Sequence, residues 1–114
     1  MQSLALVIPI LPEKTEDWRR FAKEALEARG KDFDESRRHV NLNRETVWIQ
    51  PTPMGDVLIV YLEGDDPVRS NQAFVASKDP YDLWFKQQVL SITGIDFNQP
   101  PPGLPQLSYD WQAR

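Results

Sequence analysis

The chain has 114 residues, with 13 Lys and Arg against 17 Asp and Glu, one His and no Cys. That length fits one domain able to bury a core without staples. The absence of Cys removes disulfides, thiolate metal sites, iron–sulfur clusters and cysteine nucleophiles. A single His removes His-rich zinc and di-iron sites, and a formal charge of −4 argues against a nucleic-acid partner.

Ser3 to Ile8 reads as a buried strand, because Leu4-Ala5-Leu6-Val7-Ile8 is apolar and is closed off by Pro9 and Pro12. The run is far short of the ~20 residues of a membrane span. No basic residue precedes it and no small-residue cleavage site follows, so no signal peptide and no membrane partner are expected, and a cytoplasmic location is. Thr15, Glu16 and Asp17 start a helix. Trp18, Phe21, Ala22, Ala25 and Leu26 give it one apolar stripe, and Gly30 is expected to end it. A second, short helix runs from Asp32 or Asp34 to about Val40. Arg37 falls on its apolar Phe33/Val40 face, which is a local conflict.

Arg44 to Gln50 and Asp56 to Glu63 read as a hairpin around the turn-forming Pro51-Thr52-Pro53-Met54-Gly55. Setting Gln50 opposite Asp56 pairs Trp48 with Leu58, Val47 with Ile59 and Glu45 with Tyr61. Both faces are then largely apolar, so both need covering. Asp66-Pro67 and Asp79-Pro80 each give a cap followed by proline at the first helical position. Val68, Phe74 and Val75 form the apolar side of the third helix. Tyr81, Trp84, Phe85, Val89 and Ile92 form that of the fourth, which Gly94 closes. Residues 94–114 are a Pro-rich tail in which Leu107 to Trp111 is expected to be a last strand. Leu104, Leu107, Tyr109 and Trp111 would anchor it along the sheet edge or on a partner.

The order is strand, two helices, two strands, two helices, strand. It predicts a single α+β domain over residues 1–114, a ferredoxin-like sandwich with a four-stranded antiparallel sheet and split helices. Helices cover one side of such a sheet. The other must meet a second copy or a ligand.

Three segments carry a family resemblance: Trp18-Arg19-Arg20-Phe21 after a proline turn, the hairpin from Glu45 to Tyr61, and Asp79-Pro80-Tyr81-Asp82-Leu83-Trp84-Phe85. Together they resemble the dimeric α/β barrel superfamily, and within it small uncharacterised bacterial members. The resemblance implies a homodimer in which two ferredoxin-like sheets close into one barrel. It also implies a small-molecule ligand between sheet and helices or inside the barrel, and chemistry such as cofactor-independent oxygenation or isomerisation. The alternative is a non-catalytic dimeric ligand-binding or stress-associated module. No cofactor and no metal is expected.

His39, the only imidazole, is either a general base, a haem ligand in the manner of some members of that superfamily, or a helix-end residue facing the dipole. Arg37 needs a carboxylate partner such as Glu45 or Glu35. The set either orients an acidic or hydroxylated ligand with Tyr61 as donor, or ties the short helix to the sheet. Trp48, Trp84 and Phe85 either line an aromatic pocket or fill the core. The expected ligand-binding set is Arg37, Trp48, Tyr61 and Trp84. His39, Arg37, Glu45 and Tyr61 are the catalytic candidates. Asn71, three residues after Val68, is a candidate pocket wall. There is no phosphate-cradling glycine loop and no G-x-S-x-G elbow.

Overall fold

The computed structural model describes residues 1–114. Strand β1 (Gln2–Pro9) is followed by helix α1 (Thr15–Lys23), which runs on as a π-helical turn (Glu24–Ala28), and by α2 (Gly30–His39). Strands β2 (Leu42–Gln50) and β3 (Val57–Gly64) form the hairpin, and helices α3 (Pro67–Ala76) and α4 (Pro80–Thr93) follow. The sheet is antiparallel in the order β1-β3-β2.

The sheet has three strands, not four. Leu107 to Trp111 is not paired to it, and the side chains of Leu107, Tyr109 and Trp111 are exposed. Only the start of the tail packs on this chain, with Phe97 and Leu104 against the core. β1 and β2 are therefore both sheet edges.

The hairpin register also differs from the expected one by a single residue. Gln50 opposes Val57, Trp48 opposes Ile59, Val47 opposes Val60 and Glu45 opposes Leu62. Asp56 is drawn out of the ladder by other partners. Its carbonyl accepts from the Ile10 amide at 3.0 Å, and its carboxylate accepts from the Thr15 hydroxyl at 2.7 Å. A one-residue slip sends side chains to the opposite face. Glu45 therefore lies on the inner face with Leu62, while Tyr61 lies on the outer one.

On the inner face, Leu4 and Ile8 of β1 and Leu58, Val60 and Leu62 of β3 are buried under the helices. Trp18, Phe21 and Ala25 come from α1 and its π turn; Tyr81, Phe85, Val89 and Ile92 come from α4. The Phe21 ring meets Phe85 edge-on at 4.9 Å and Trp84 at 5.5 Å. On the outer face, Val7, Ile59 and Trp48 lie in one row across the sheet, beside the row Ala5, Tyr61 and Thr46. Val7 is 62% exposed and Trp48 53%.

Both Asp-Pro helix starts are formed. Asp66 accepts from the Arg69 amide at 3.1 Å, and Asp79 from the Tyr81 amide at 3.0 Å. Gly94 closes α4 in the left-handed conformation (φ 77°), with its amide on the Leu90 carbonyl at 2.8 Å. Gly30 does not end α1; it opens α2, because the π-helical turn carries the first helix to Ala28. Gly64 ends β3 where a Cβ would lie 2.8 Å from the Asn41 carbonyl oxygen, so only glycine lets the α2–β2 corner approach. In α3 the buried residues are Pro67, Ser70 and Asn71, whereas Val68 is exposed. The side of α3 that faces the interior is thus more polar than the hydrophobic pattern predicts.

Candidate functional site

A cavity of about 80 Å³ lies between the inner face of the sheet and the helices. Leu6, Ile8, Val47, Leu58, Val60 and Leu62 form its floor, and Trp18, Phe74, Phe85, Val89 and Phe97 are among its other walls. Its polar lining is confined to Arg37, Glu45, Ser70 and Asn71.

Of these four, Arg37 and Glu45 are committed to each other. Arg37 Nε donates to Glu45 Oε1 at 2.8 Å and Nη2 donates to Oε2 at 3.2 Å, a two-pronged pair. Nη1 donates to the Ser36 hydroxyl at 2.9 Å. The guanidinium also sits among three rings, 4.2 Å from Phe33, 4.6 Å from Phe85 and 4.8 Å from Phe74. This accounts for an Arg on an apolar helix face: burial is offset by a carboxylate, a hydroxyl and aromatic faces together.

The pair continues into a buried chain of hydrogen bonds. Ser36 donates to Asp82, and Ser77 donates to the other Asp82 oxygen at 2.6 Å. Lys86, fully buried, donates to the carbonyls of Phe74, Val75 and Ser77 at 2.9, 3.0 and 2.9 Å. It thereby caps the end of α3. Burial pulls the Lys86 ammonium below its ordinary value, against the opposing pull of Asp82. Sequence reasoning missed Asp82 and Lys86. The available signal was their i, i+4 spacing beside the Tyr81/Phe85 stripe.

Ser70 donates its hydroxyl to the Asp66 carbonyl at 3.1 Å and keeps its lone pairs. Asn71 is different. It is 7% exposed, it lines the cavity, and its amide takes part in none of the side-chain hydrogen bonds of the fold. No fully buried side-chain polar atom of the fold lacks a partner, so the Asn71 amide opens onto the cavity space. Asn71 is thus a polar group of the cavity wall that the fold's own side-chain hydrogen bonds do not use.

The four residues expected to bind a ligand are not brought together. Arg37 is at the cavity. Trp48 and Tyr61 are on the opposite side of the sheet, where the Tyr61 hydroxyl donates to Glu63 at 2.6 Å; that carboxylate is the main reason its proton is held more tightly than usual. Trp84 is packed between helices, against Phe21 and Tyr81, with the Arg29 guanidinium 4.4 Å from its ring. His39 is exposed at the end of α2. Its Nδ1 lies 2.9 Å from the Glu35 carbonyl, which can only accept, so the proton is on Nδ1. Glu35 itself is exposed and does not pair with Arg37.

Tyr81 joins α4 to the π turn, its hydroxyl donating to the Ala25 carbonyl at 3.1 Å. Burial pushes its hydroxyl up to about 12, against the pull of Arg37 and Arg29. The folded chain keeps this proton where the unfolded chain, near 10, loses it. The Tyr81 contribution to stability is therefore complete below pH 10 and is lost between about 10 and 12. Lys86 acts in the opposite sense and at lower pH: stability rises as pH rises toward its ordinary 10.5. Urea midpoints measured from pH 9 to 12 are expected to fall in the upper half of that range, and less steeply in Tyr81→Phe. Equal slopes in the two proteins would contradict the assignment.

No protein-family model matches the chain, and no curated protein matches it. Among solved structures the chain is similar to the tetracenomycin F2 cyclase of Streptomyces glaucescens, a type-II polyketide cyclase. The TM-score is 0.66 at 15% identity, over 100% of both chains. The likeness supports an α+β fold shared with that protein. No helix is long and apolar enough to cross a membrane.

Proposed function

We propose that the chain binds a small, ring-bearing, hydroxylated organic molecule in the cavity between sheet and helices, and that it does so as a homodimer. The observation that carries this reading is the Asn71 amide, which lines a largely apolar cavity and takes part in none of the fold's side-chain hydrogen bonds. An apolar enclosure with a few convergent polar groups is the usual form of a small-molecule site. A hydroxyl placed there can donate to Asn71 or Ser70 and accept from the Asn71 amide. The volume, about 80 Å³, suits one ring; larger ligand pockets run to roughly 300–1,000 Å³, so the rest of a bigger molecule would lie in the mouth.

Arg37 does not supply a free cation here, and Glu45 does not supply a free base, because each is held by the other. The pair serves the fold, and within the cavity the ligand is neutral. The likeness to a polyketide cyclase favours a second reading, in which the bound molecule is also turned over without a cofactor. Polyketides are ring-forming, oxygen-rich chains, the class of molecule the cavity suits. Incubating the chain with hydroxylated aromatic compounds and following product by chromatography separates a catalyst from a carrier.

Calorimetric titration with phenol and with benzene tests the binding itself. Phenol is expected to bind about tenfold more tightly, the worth of one satisfied hydrogen bond. Asn71→Leu should remove that advantage while leaving benzene binding in place. Equal affinity of phenol for the parent and for Asn71→Leu would overturn the assignment of Asn71.

A further inference from the structure

The polar part of the cavity wall is uneven in its protons. Arg37 and Glu45 hold each other, so the wall offers a ligand Ser70 and Asn71, neighbours on α3. Both are buried, 3% and 7% exposed, and both line the cavity. Ser70 lies one turn after the cap residue Asp66. The Asp66 carbonyl accepts from the Ser70 amide at 3.0 Å and from the Ser70 hydroxyl at 3.1 Å. A carbonyl can only accept, so the hydroxyl proton is spent on it. Toward a ligand, Ser70 is therefore an acceptor and not a donor. Asn71 keeps its whole amide, because no side-chain hydrogen bond of the fold uses it and it opens onto the cavity. It offers N–H donors and a carbonyl acceptor.

We propose that the cavity selects its ligand by a proton-bearing oxygen: it takes the phenol or enol form of a ring-bearing molecule and rejects the matching ether, ketone or quinone. This deepens the reading of the cavity as the ligand site and rests on it. One hydroxyl accepts from the Asn71 amide and donates to Ser70, and both residues are then paired. An ether or carbonyl oxygen has lone pairs only. It can accept from Asn71, but it sets its lone pairs against those of Ser70 in a largely apolar enclosure, where two facing acceptors go uncompensated. The selectivity comes from the first turns of α3: a serine whose proton the helix start has already taken, followed by an amide that the helix leaves free. For a molecule that interchanges between keto and enol forms, binding would shift the population toward the enol.

Calorimetric titration of the full chain with two matched pairs tests this: phenol with toluene, and anisole with ethylbenzene. Each pair keeps its shape and exchanges oxygen for carbon, and only phenol carries the proton. Ser70→Ala removes the acceptor and leaves the backbone bond to the Asp66 carbonyl in place. In the parent, the gain of phenol over toluene is expected to exceed that of anisole over ethylbenzene about tenfold. Ser70→Ala should cost phenol about fivefold, the worth of one hydrogen bond, and change the other three by less than about twofold. Equal losses for phenol and anisole overturn the inference and leave the cavity reading intact. So does an unchanged phenol affinity, since Asn71 alone then serves the hydroxyl. A loss shared by all four compounds assigns Ser70 to the fold only, and overturns the inference too. If none of the four binds the parent, the cavity reading fails and this inference with it.

Discussion

Replacing Glu45 by Leu is expected to destabilise the protein by about 3 kcal/mol, whereas replacing Arg37 by Met and Glu45 by Leu together is expected to return it to within about 1 kcal/mol of the parent. The two side chains are 11% and 16% exposed, so the pair sits far from the screening that makes surface ion pairs nearly worthless. Removing the carboxylate strands a guanidinium among Phe33, Phe74 and Phe85, with only Ser36 to receive one of its donors. Removing both charges strands nothing: Met fills the same space against the same rings, and Ser36 keeps its bond to Asp82. Urea denaturation at neutral pH measures all three proteins. A single substitution within about 0.5 kcal/mol of the parent would mean that the pair behaves as a surface pair. A double variant as unstable as Glu45→Leu would mean that the charges themselves, not their mutual need, hold α2 on the sheet.

Trp48→Glu is expected to turn a dimer into a folded monomer. Trp48, Ile59 and Val7 lie side by side on the outer face of the sheet, with Val57, Tyr61 and Ala5 around them, and no helix of the chain covers that face. A contiguous apolar sheet surface left open is an interaction surface. A second copy of the same sheet, packed roughly 10 Å away, would cover it with side chains of matching character. Because Trp48 is half in solvent in the single chain, a charge there should cost the fold little and the assembly much. Light scattering at micromolar concentration should give twice the 13.2 kDa chain mass for the parent and 13.2 kDa for the variant. A monomeric parent, or a variant that remains dimeric, would contradict this.

Much of the fold could be read from hydrophobic spacing and helix-start signals, because these are local. The α1 stripe of Trp18, Phe21 and Ala25, the Asp66-Pro67 and Asp79-Pro80 starts, and the closure of α4 at Gly94 all depend on residues within two turns of one another. Three features depended on distant partners and were missed. Asp56 leaves the hairpin because Ile10 and Thr15 claim it, and this shifts the register by one and separates Tyr61 from Glu45. The π-helical turn ends the first helix at Ala28, and Gly30 opens the second helix instead of closing the first. The expected fourth strand is not paired within this chain, where β1 and β2 are both edges.

The site was legible only in part. Arg37 stood out as a charge on an apolar face, and the cost of burying it called for a carboxylate, Glu45 or Glu35, of which the fold supplies Glu45. Asn71 was singled out by its spacing from Val68, yet Val68 is exposed and Asn71 is buried, so that spacing was not the reason it faces inward. The aromatic set did not hold together, because Trp48, Trp84 and Phe85 look alike in a stripe while belonging to three surroundings: the open sheet face, a helix seam and the cavity wall. Asp82 and Lys86 were invisible because a buried polar chain is defined by its partners on other elements, here Ser36, Ser77 and the carbonyls ending α3.

The measurement that bears most directly on the central claim is a crystal structure of the chain grown with phenol. The account predicts a phenol ring between the sheet and α3, with its oxygen within about 3 Å of the Asn71 amide. Phenol found only on the outer sheet face, or absent from the cavity at saturating concentration, would contradict it.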